Sequence, residues 1–185
     1  VYADMYQVEY RKITYDTDSL APDMNTLYNK LDSNTRFVFI PNPNLPIENC
    51  FSVDDIRDIA EKCRRNNTIL VIDEAYYFFG APSVLELVNE YENLIVFRTF
   101  SKAYGLAGLR IGFMVSQSQN INKISKTRSL VESNTFSMQI AEYFLEHTEL
   151  LDQHVQEVKE GSAYLQEELN QLGLRWHGGN YTNGI

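Results

Sequence analysis

Cysteine, basic residues and long apolar runs are all scarce in this chain of 185 residues. No apolar stretch is long enough to span a bilayer and no signal peptide opens the sequence, so we expect a cytoplasmic protein without a membrane partner. The two cysteines, Cys50 and Cys63, are too few for a disulfide framework and lack the companions of a zinc site. Acidic residues outnumber basic ones by 25 to 16, and the net charge of −9 argues against nucleic acid as a partner.

The chain does contain enough apolar material for a packed core, since 44% of its residues are hydrophobic. Short apolar runs alternate with amphipathic stretches, which is typical of an α/β protein with a mostly parallel sheet and helices on both faces. The pattern predicts strands at residues 36–40, 68–72, 94–99 and 110–115, with two more beginning near 11 and 174. It predicts helices at residues 3–11, 23–31, 53–66, 83–91, 118–130, 134–146 and 149–173.

One lysine is poorly explained as a solvated surface charge. Lys102 follows closely on the apolar, β-branched run Leu94–Phe97, and hydroxyl-bearing and small residues surround it in the sequence. Burial at such a place would favour the neutral amine, which is the nucleophile that a Schiff-base lysine needs. The position therefore indicates a lysine that reacts with an aldehyde.

An acid and a phenol stand at the end of a neighbouring predicted strand. Asp73 follows the apolar run 68–72, and Tyr76 comes three residues later. Ligands of parallel sheets collect at the carboxyl ends of the strands, so Asp73, Lys102 and the loop after Ile40 should share one rim. A lone aspartate at such a place is roughly twice as often a helix cap or half of an ion pair. Tyr76 alone is equally well explained by core packing.

The residues around Lys102 also suggest an anion site. Arg110 can bind a phosphate with two parallel hydrogen bonds, and Thr99 and Ser101 add hydroxyl donors. The alternative for Arg110 is an exposed guanidinium. Other sites are excluded, because the glycines after Lys102 have the wrong spacing and order for a dinucleotide fingerprint and no phosphate-loop glycines precede it. The histidines lack metal spacing, and no serine lies in a nucleophile elbow.

Together these residues match the functional groups of one cofactor. A lysine suits an aldehyde, an aspartate a pyridinium nitrogen, a tyrosine a ring hydroxyl, and hydroxyls with an arginine suit a phosphate. That combination predicts pyridoxal 5′-phosphate (PLP), whose protonated ring acts as an electron sink.

The sequence closely resembles the class I/II aminotransferases of PLP fold type I, nearest to the histidinol-phosphate aminotransferase-like branch. The resemblance is carried by residues 99–110, Asp73–Tyr76 and Pro41–Pro46, and more weakly by residues 1–6. It implies that residues 1–150 form an incomplete PLP-binding large domain. Residues 151–185 would then form a connecting helix and the beginning of a small α+β domain, and the chain would be an excerpt that dimerises with a second copy.

The resemblance also implies a role for each matching residue. Lys102 would bind the cofactor covalently and carry the substrate's α-proton. Asp73 would pair with the ring nitrogen, and Tyr76 would bond to the ring hydroxyl. The phosphate would be held by Thr99, Ser101 and Arg110, and the ring face would be covered by Tyr2.

Two stretches depart from the family pattern. The family usually has Asn before the proline that is Pro46 here, followed by Thr-Gly, whereas this chain has Leu45 and then Ile47-Glu48. Asn44 is a candidate to replace that Asn at the ring hydroxyl. Residues 129–134 also differ from the family's Pro-Tyr-Asn type of stretch, at a place where substrate contacts are expected.

Three functions therefore remain open. The first is an aminotransferase that moves an amino group between an amino acid or amino-alcohol phosphate and a 2-oxo acid. The second is a phospho-amino-acid decarboxylase with the same cofactor and fold. The third is a PLP-binding regulatory module without catalysis. By the resemblance, the phosphate-binding glycine loop and most of the small domain, with its carboxylate-binding arginine, are missing from these residues. The alignment of the substrate bond that separates transamination from decarboxylation is set largely by residues absent here.

Overall fold

The structure, a computed structural model, describes residues 2–129 and 132–185, and for Tyr2 it describes the backbone alone. Within these ranges four strands form one sheet in the order β1-β2-β3-β4. Its strands are β1 (Phe37–Pro41), β2 (Ile69–Asp73), β3 (Leu94–Thr99) and β4 (Gly112–Ser116). The predicted α/β class with a mostly parallel sheet is confirmed.

The strand pairing brings the chemically interesting loops to one edge. Strands β1, β2 and β3 are parallel, with Pro41 opposite Asp73 and Asp73 opposite Phe97. Strand β4 is antiparallel to β3 and begins with Gly112 opposite Thr99. The chain between β3 and β4 therefore leaves and re-enters the sheet at the edge where β1 and β2 also end.

Six α-helices lie within the described ranges: α1 (Tyr2–Met5), α2 (Met24–Lys30), α3 (Val53–Arg65), α4 (Ser118–Ile124), α5 (Thr135–Glu146) and α6 (Thr148–Gln171). Helices α2, α3, α5 and α6 agree with the sequence patterns to within two residues at either end. The predicted helix 118–130 is shorter, since 3₁₀ turn Ser125–Thr127 follows α4 and residue 130 is outside the described ranges. The predicted helix at 83–91 is the 3₁₀ turn Leu85–Asn89.

Three predicted elements are wrong. The helix expected over 3–11 ends at Met5, and Gln7 takes a left-handed φ of 53° that stops it. The strand expected from residue 11 is reduced to one bridge between Tyr15 and Pro22. Residues 174–176 form no strand in the described structure. The apolar residues in this stretch are not sufficient to make it a strand, because a strand needs a neighbouring strand to satisfy its backbone hydrogen bonds.

Helix α3 covers one face of the sheet. Ser52 and Asp55 form a reciprocal capping box at its start, and the side chains that face the sheet are fully buried: Ile56, Ile59, Ala60 and Cys63. They pack on the sheet residues Ile40, Leu70, Ile72, Leu94 and Val96.

Both cysteines are free thiols. Burial raises the pKa of the Cys63 thiol to about 12, so this side chain contributes to packing.

A second apolar cluster lies beneath the loop that carries Lys102. It joins that loop to helices α5 and α6 through Phe79, Phe100, Ala103, Tyr104, Ile111, Ala141 and Leu151. The Tyr104 ring lies 4.7 Å from that of Phe100 and 5.1 Å from that of Phe78, centre to centre. The aromatic rings therefore pack directly against the loop that carries Lys102.

None of the helices in the described ranges has the length and apolarity needed to cross a bilayer.

We expect Gly112→Ala to destabilise the fold where β4 meets β3. A Cβ at this position would lie 2.8 Å from the backbone oxygen of Arg98, so β4 would have to move away from Thr99. Overpacking of this kind costs about 1–3 kcal/mol in the free energy of unfolding, which urea titration measures. Gly108→Ala is the matched control, since no atom lies within 4 Å of its added Cβ. Equal unfolding midpoints for the two variants would refute the close approach.

Candidate cofactor site

An open cavity of about 440 Å³ lies at the edge where β2 and β3 end. Its wall is formed by nine residues: Asp73, Ala75, Phe97, Arg98, Thr99, Ser101, Lys102, Ala107 and Arg110. Five of the eight site residues predicted from the sequence are therefore gathered around one space. Strands β2 and β3 place them there because both strands end at this edge.

Lys102 projects into this cavity from a tight turn directly after β3. The N–H of Gly105 donates to the Lys102 carbonyl at 2.8 Å, and Gly105 adopts a left-handed φ of 68° that closes the turn. The Lys102 Nζ lies 5.1 Å from the centre of the Tyr76 ring. The residue is half-buried, with its side chain on the wall of the cavity and its amine beside the Tyr76 ring.

Asp73 faces Lys102 across the cavity. Its carboxylate accepts one hydrogen bond from the N–H of Ala75 at 3.0 Å and is otherwise open to the cavity. Desolvation by the surrounding protein raises the pKa of this carboxyl. The hydrogen bond from the Ala75 N–H and the positive charge of Lys102 act in the opposite direction. Asp73 is exposed, and in the described ranges its carboxylate accepts no hydrogen bond from a basic side chain, so it is accessible to a positively charged ligand group.

Thr99, Ser101 and Arg110 lie on the wall beside Lys102. The Thr99 and Ser101 hydroxyls are 2.9 Å apart, and the N–H of Ser101 donates to Thr99 Oγ1 at 3.1 Å. Arg110 is exposed, and its Nη1 donates to the Ala107 carbonyl at 3.0 Å. Its φ of 54° is left-handed, which costs a residue other than glycine about 1–3 kcal/mol. The two hydroxyls and the guanidinium together offer donors suited to an anion.

The other predicted residues are placed differently. Tyr76 does not line the cavity wall, but its ring lies against the Lys102 amine as described above. Asn44 is held in its own loop, where its side-chain amide donates to the Ile47 carbonyl at 2.9 Å. The side chain of Tyr2 lies outside the described part of the structure, so its predicted stacking on the cofactor stays a prediction.

The sequence patterns missed a buried ion pair beside the site. Arg98 Nη2 lies 2.8 Å from Glu74 Oε2, and Arg98 Nε donates to the same oxygen at 3.0 Å. Glu74 is fully buried and also accepts from the Ser83 hydroxyl and, at 2.7 Å, from the N–H of Val84. The Arg98 guanidinium lies 3.8 Å from the centre of the Tyr77 ring. One signal was available: Arg98 follows Leu94 and Val96 on the inward face of β3, where a charge requires a partner.

This ion pair fixes the turn that carries two of the predicted site residues. Glu74 stands between Asp73 and Tyr76, and Arg98 anchors it to β3, one residue before Thr99. The ion pair therefore sets the position of the turn at residues 73–76 relative to β3, the strand that leads to Lys102.

The family model described as aminotransferase class I and II matches residues 1–183. The chain belongs to this family. A histidinol-phosphate aminotransferase from Idiomarina loihiensis is 35% identical over 159 residues, which are 83% of this chain and 43% of that protein. This chain thus spans about half the length, or less, of the curated class I and II aminotransferases that it matches.

Solved structures share the aminotransferase fold. The histidinol-phosphate aminotransferase from Sinorhizobium meliloti, in complex with pyridoxal-5′-phosphate, superposes with a TM-score of 0.86 at 23% identity, over 98% of this chain and 49% of that one. An L-threonine-O-3-phosphate decarboxylase from Porphyromonas gingivalis superposes with a TM-score of 0.67 at 23% identity, over 77% of this chain and 44% of that one. At these identities the likeness shows a common fold.

We expect the Arg98→Ala substitution to lower the free energy of unfolding much more than the loss of an exposed arginine does. It leaves the Glu74 charge buried without its cation, which costs about 3–5 kcal/mol in the free energy of unfolding. Arg57→Ala is the control, because Arg57 pairs with Glu90 at the surface and should cost at most about 1 kcal/mol. Denaturant titration of both variants tests this, and similar losses would contradict the anchoring role of the buried pair.

Proposed function

We propose that this chain forms the PLP-binding part of an aminotransferase. The observation that supports it most directly is the shared cavity, into which Lys102 and Asp73 face from two strand ends with Thr99, Ser101 and Arg110 beside them. An amine, a carboxylate and a group of anion donors are what an aldehyde, a pyridinium nitrogen and a phosphate require. The curated relatives named histidinol-phosphate aminotransferase support the same assignment.

The residues present fit the cofactor chemically. Lys102 would hold its aldehyde carbon covalently, and Asp73 would pair with its ring nitrogen. The phosphate would be bound by the hydroxyls of Thr99 and Ser101 and by Arg110. When bound, PLP supplies an electron sink that stabilises negative charge on the substrate carbon next to it.

The chain's own residues supply the proton transfers. The Lys102 amine would be the general base that takes the substrate's α-proton and the general acid that returns it. The Tyr76 ring lies beside this amine, with its centre 5.1 Å from Nζ. Asp73 would hold a proton on the ring nitrogen, because a carboxylate beside that nitrogen favours its positively charged, protonated form.

The finer points of the proposal follow from the family. The substrates would be an amino acid or amino-alcohol phosphate as donor and a 2-oxo acid as acceptor. The complete protein would work as a homodimer in the cytoplasm, in amino acid biosynthesis. Residues 1–150 would belong to its large domain and residues 151–185 to the connection with a small domain. Tyr2 and Asn44 are proposed as further cofactor contacts.

A phospho-amino-acid decarboxylase is the second candidate, because the fold is compatible with that reaction as well. The L-threonine-O-3-phosphate decarboxylase of Porphyromonas gingivalis shares this fold, so the fold alone does not choose between the two reactions. The choice depends on which substrate bond stands perpendicular to the ring. Release of carbon dioxide from a phosphorylated amino acid without formation of a new amino acid would establish the decarboxylase.

We expect Lys102→Ala to abolish covalent cofactor binding. The protein expressed from its complete coding sequence and saturated with PLP should show a visible absorption band, and borohydride should attach the cofactor to the peptide that contains Lys102. In the variant both signals should vanish, and transamination should fall by at least about 10²–10⁴-fold. Lys123→Ala, which changes an exposed lysine on α4, is the control. A colourless wild type at saturating PLP would overturn the proposal.

We expect Asp73→Asn to keep the covalent cofactor but to lose most of the activity. An amide cannot hold a proton on the ring nitrogen, so kcat should fall by about a hundredfold or more. The pH at which the visible band titrates should also change, since the charge beside the ring has been removed. Asp58→Asn, on the exposed side of α3, should leave both properties unchanged. A kcat within about threefold of wild type in Asp73→Asn would exclude the assigned role.

A further inference from the structure

The Glu48 carboxylate is buried in the loop after β1, with 6% of the residue exposed. Its Oε1 accepts hydrogen bonds of 3.0 Å from both the backbone N–H and the side-chain amide of Asn180. Its Oε2 accepts from the N–H of Tyr181 at 3.0 Å and from the hydroxyl of Thr182 at 2.7 Å. Four donors from one short segment, at least 132 residues further along the chain, therefore meet on one carboxylate.

This carboxylate is an anion stabilised by dipoles. Burial alone would raise the pKa of Glu48, but the hydrogen bonds from Thr182, Tyr181 and Asn180 outweigh burial and hold the pKa below its ordinary value. Hydrogen bonds to a charged acceptor are about twice as strong as those between neutral groups. Without the carboxylate, the buried Thr182 hydroxyl and the donors of Asn180 and Tyr181 would lose their acceptor, which is costly for the buried hydroxyl.

The same segment makes two further close contacts with the loop at residues 42–49. A Cβ at Gly184 would lie 3.2 Å from Leu45 Cδ2, so the Leu45 side chain packs directly on this glycine. Gly178 has a φ of 114°, and a Cβ there would lie 2.8 Å from the Gly184 carbonyl oxygen and 3.4 Å from Glu48 Cβ. Leu45 and Glu48 are also two of the positions at which the sequence departs from the family's Asn-Pro-Thr-Gly pattern. The two residues that depart from the family pattern therefore contact the same segment.

The same loop reaches the candidate cofactor site at its other end. The N–H of Asn42 donates to the carbonyl of Asp73 at 2.8 Å, and the Asn42 side chain is fully buried. Between the two ends, the N–H of Asn44 donates to the Asn49 carbonyl at 2.8 Å and closes the loop. The loop is therefore a short, internally bonded link between the Glu48 carboxylate and the backbone of Asp73.

We propose that Leu45 and Glu48 form a clasp with residues 177–184, and that Glu48, through this clasp, is a positioning residue that holds loop 42–49 against Asp73. The existence of the clasp is independent of the cofactor. Its effect on the reaction rests on the proposed function, because only a bound PLP gives the position of Asp73 a kinetic consequence. The clasp would also join the two regions of the chain on either side of residue 150.

The test is hydrogen exchange followed by mass spectrometry on the protein expressed from its complete coding sequence. Glu48→Ala removes the acceptor, Glu48→Gln keeps its length and one acceptor oxygen, and Thr182→Val removes one donor from the other side. Glu86→Ala, at an exposed glutamate, controls for loss of an acid, and Ile59→Ala controls for general destabilisation. All variants are then loaded with PLP, and the pH titration of the visible band is recorded.

In Glu48→Ala we expect exchange in peptides covering 42–49 and 177–185 to accelerate by at least about tenfold relative to Glu86→Ala. Peptides of β2 and β3 should not change. Glu48→Gln and Thr182→Val should show smaller accelerations in the same two places, so the proposal stays testable if Glu48→Ala fails to fold. The visible band should titrate at a shifted pH in the Glu48 variants and at the wild-type pH in Ile59→Ala.

Each contrary result has a distinct meaning. Unchanged exchange at 177–185 would overturn the clasp. Faster exchange at 177–185 alone, with 42–49 and the band unchanged, would overturn the positioning role. A wild type without a visible band would remove the proposed function, while the exchange data would still decide whether the clasp exists.

Discussion

The parallel pairing of β1, β2 and β3 is the constraint on which the rest of the structure depends. Parallel strands all end at one edge, so Pro41, Asp73 and Phe97 come level with one another across the sheet. The antiparallel β4 then returns the lysine loop to the same edge, with Gly112 opposite Thr99. Residues that are distant in sequence thereby share a cavity, which is the general reason why ligands bind at this edge of α/β sheets.

Three acids lie near this edge, and the partners available to each decide what it does. Glu74 has Arg98 and two further donors, so it is a buried anchor. Glu48 has four donors from residues 180–182 and is an anchor without a basic partner within the described ranges. Asp73 has a single hydrogen bond and faces the cavity. Asp73 is exposed, unlike the other two acids, and is therefore the one accessible to a ligand.

Two residues that line the cavity are direct sequence neighbours of the residues that form the buried ion pair. Asp73 precedes Glu74, and Arg98 precedes Thr99, so the ion pair between Glu74 and Arg98 fixes both neighbours that face the cavity. A buried ion pair is a weak source of net stability, but losing one partner is severe. Its value in this aminotransferase fold is geometric, since it sets the distance between the Asp73 turn and the strand that leads to Lys102.

Local patterns were sufficient where one short stretch carries the information. The apolar runs gave all four strands of the sheet, and the cap at Ser52 marked the start of α3. They failed at residues 3–11, where a left-handed Gln7 ends the helix, and at 174–176, where no neighbouring strand is present in the described structure. Asn44 was a reasonable candidate by position, but its amide is engaged by Ile47, which sequence spacing does not reveal.

By itself, the sequence determined the α/β class and the cofactor, and it predicted the set of site residues around Lys102. These follow from residue types and from periodicity, which are local properties. Only the tertiary structure decided that Glu74 and Arg98 form a buried ion pair and that the Glu48 carboxylate accepts hydrogen bonds from residues 180–182. Both depend on contacts between residues that lie 24 and at least 132 positions apart, and the cost of burying an unpaired charge is what selects them.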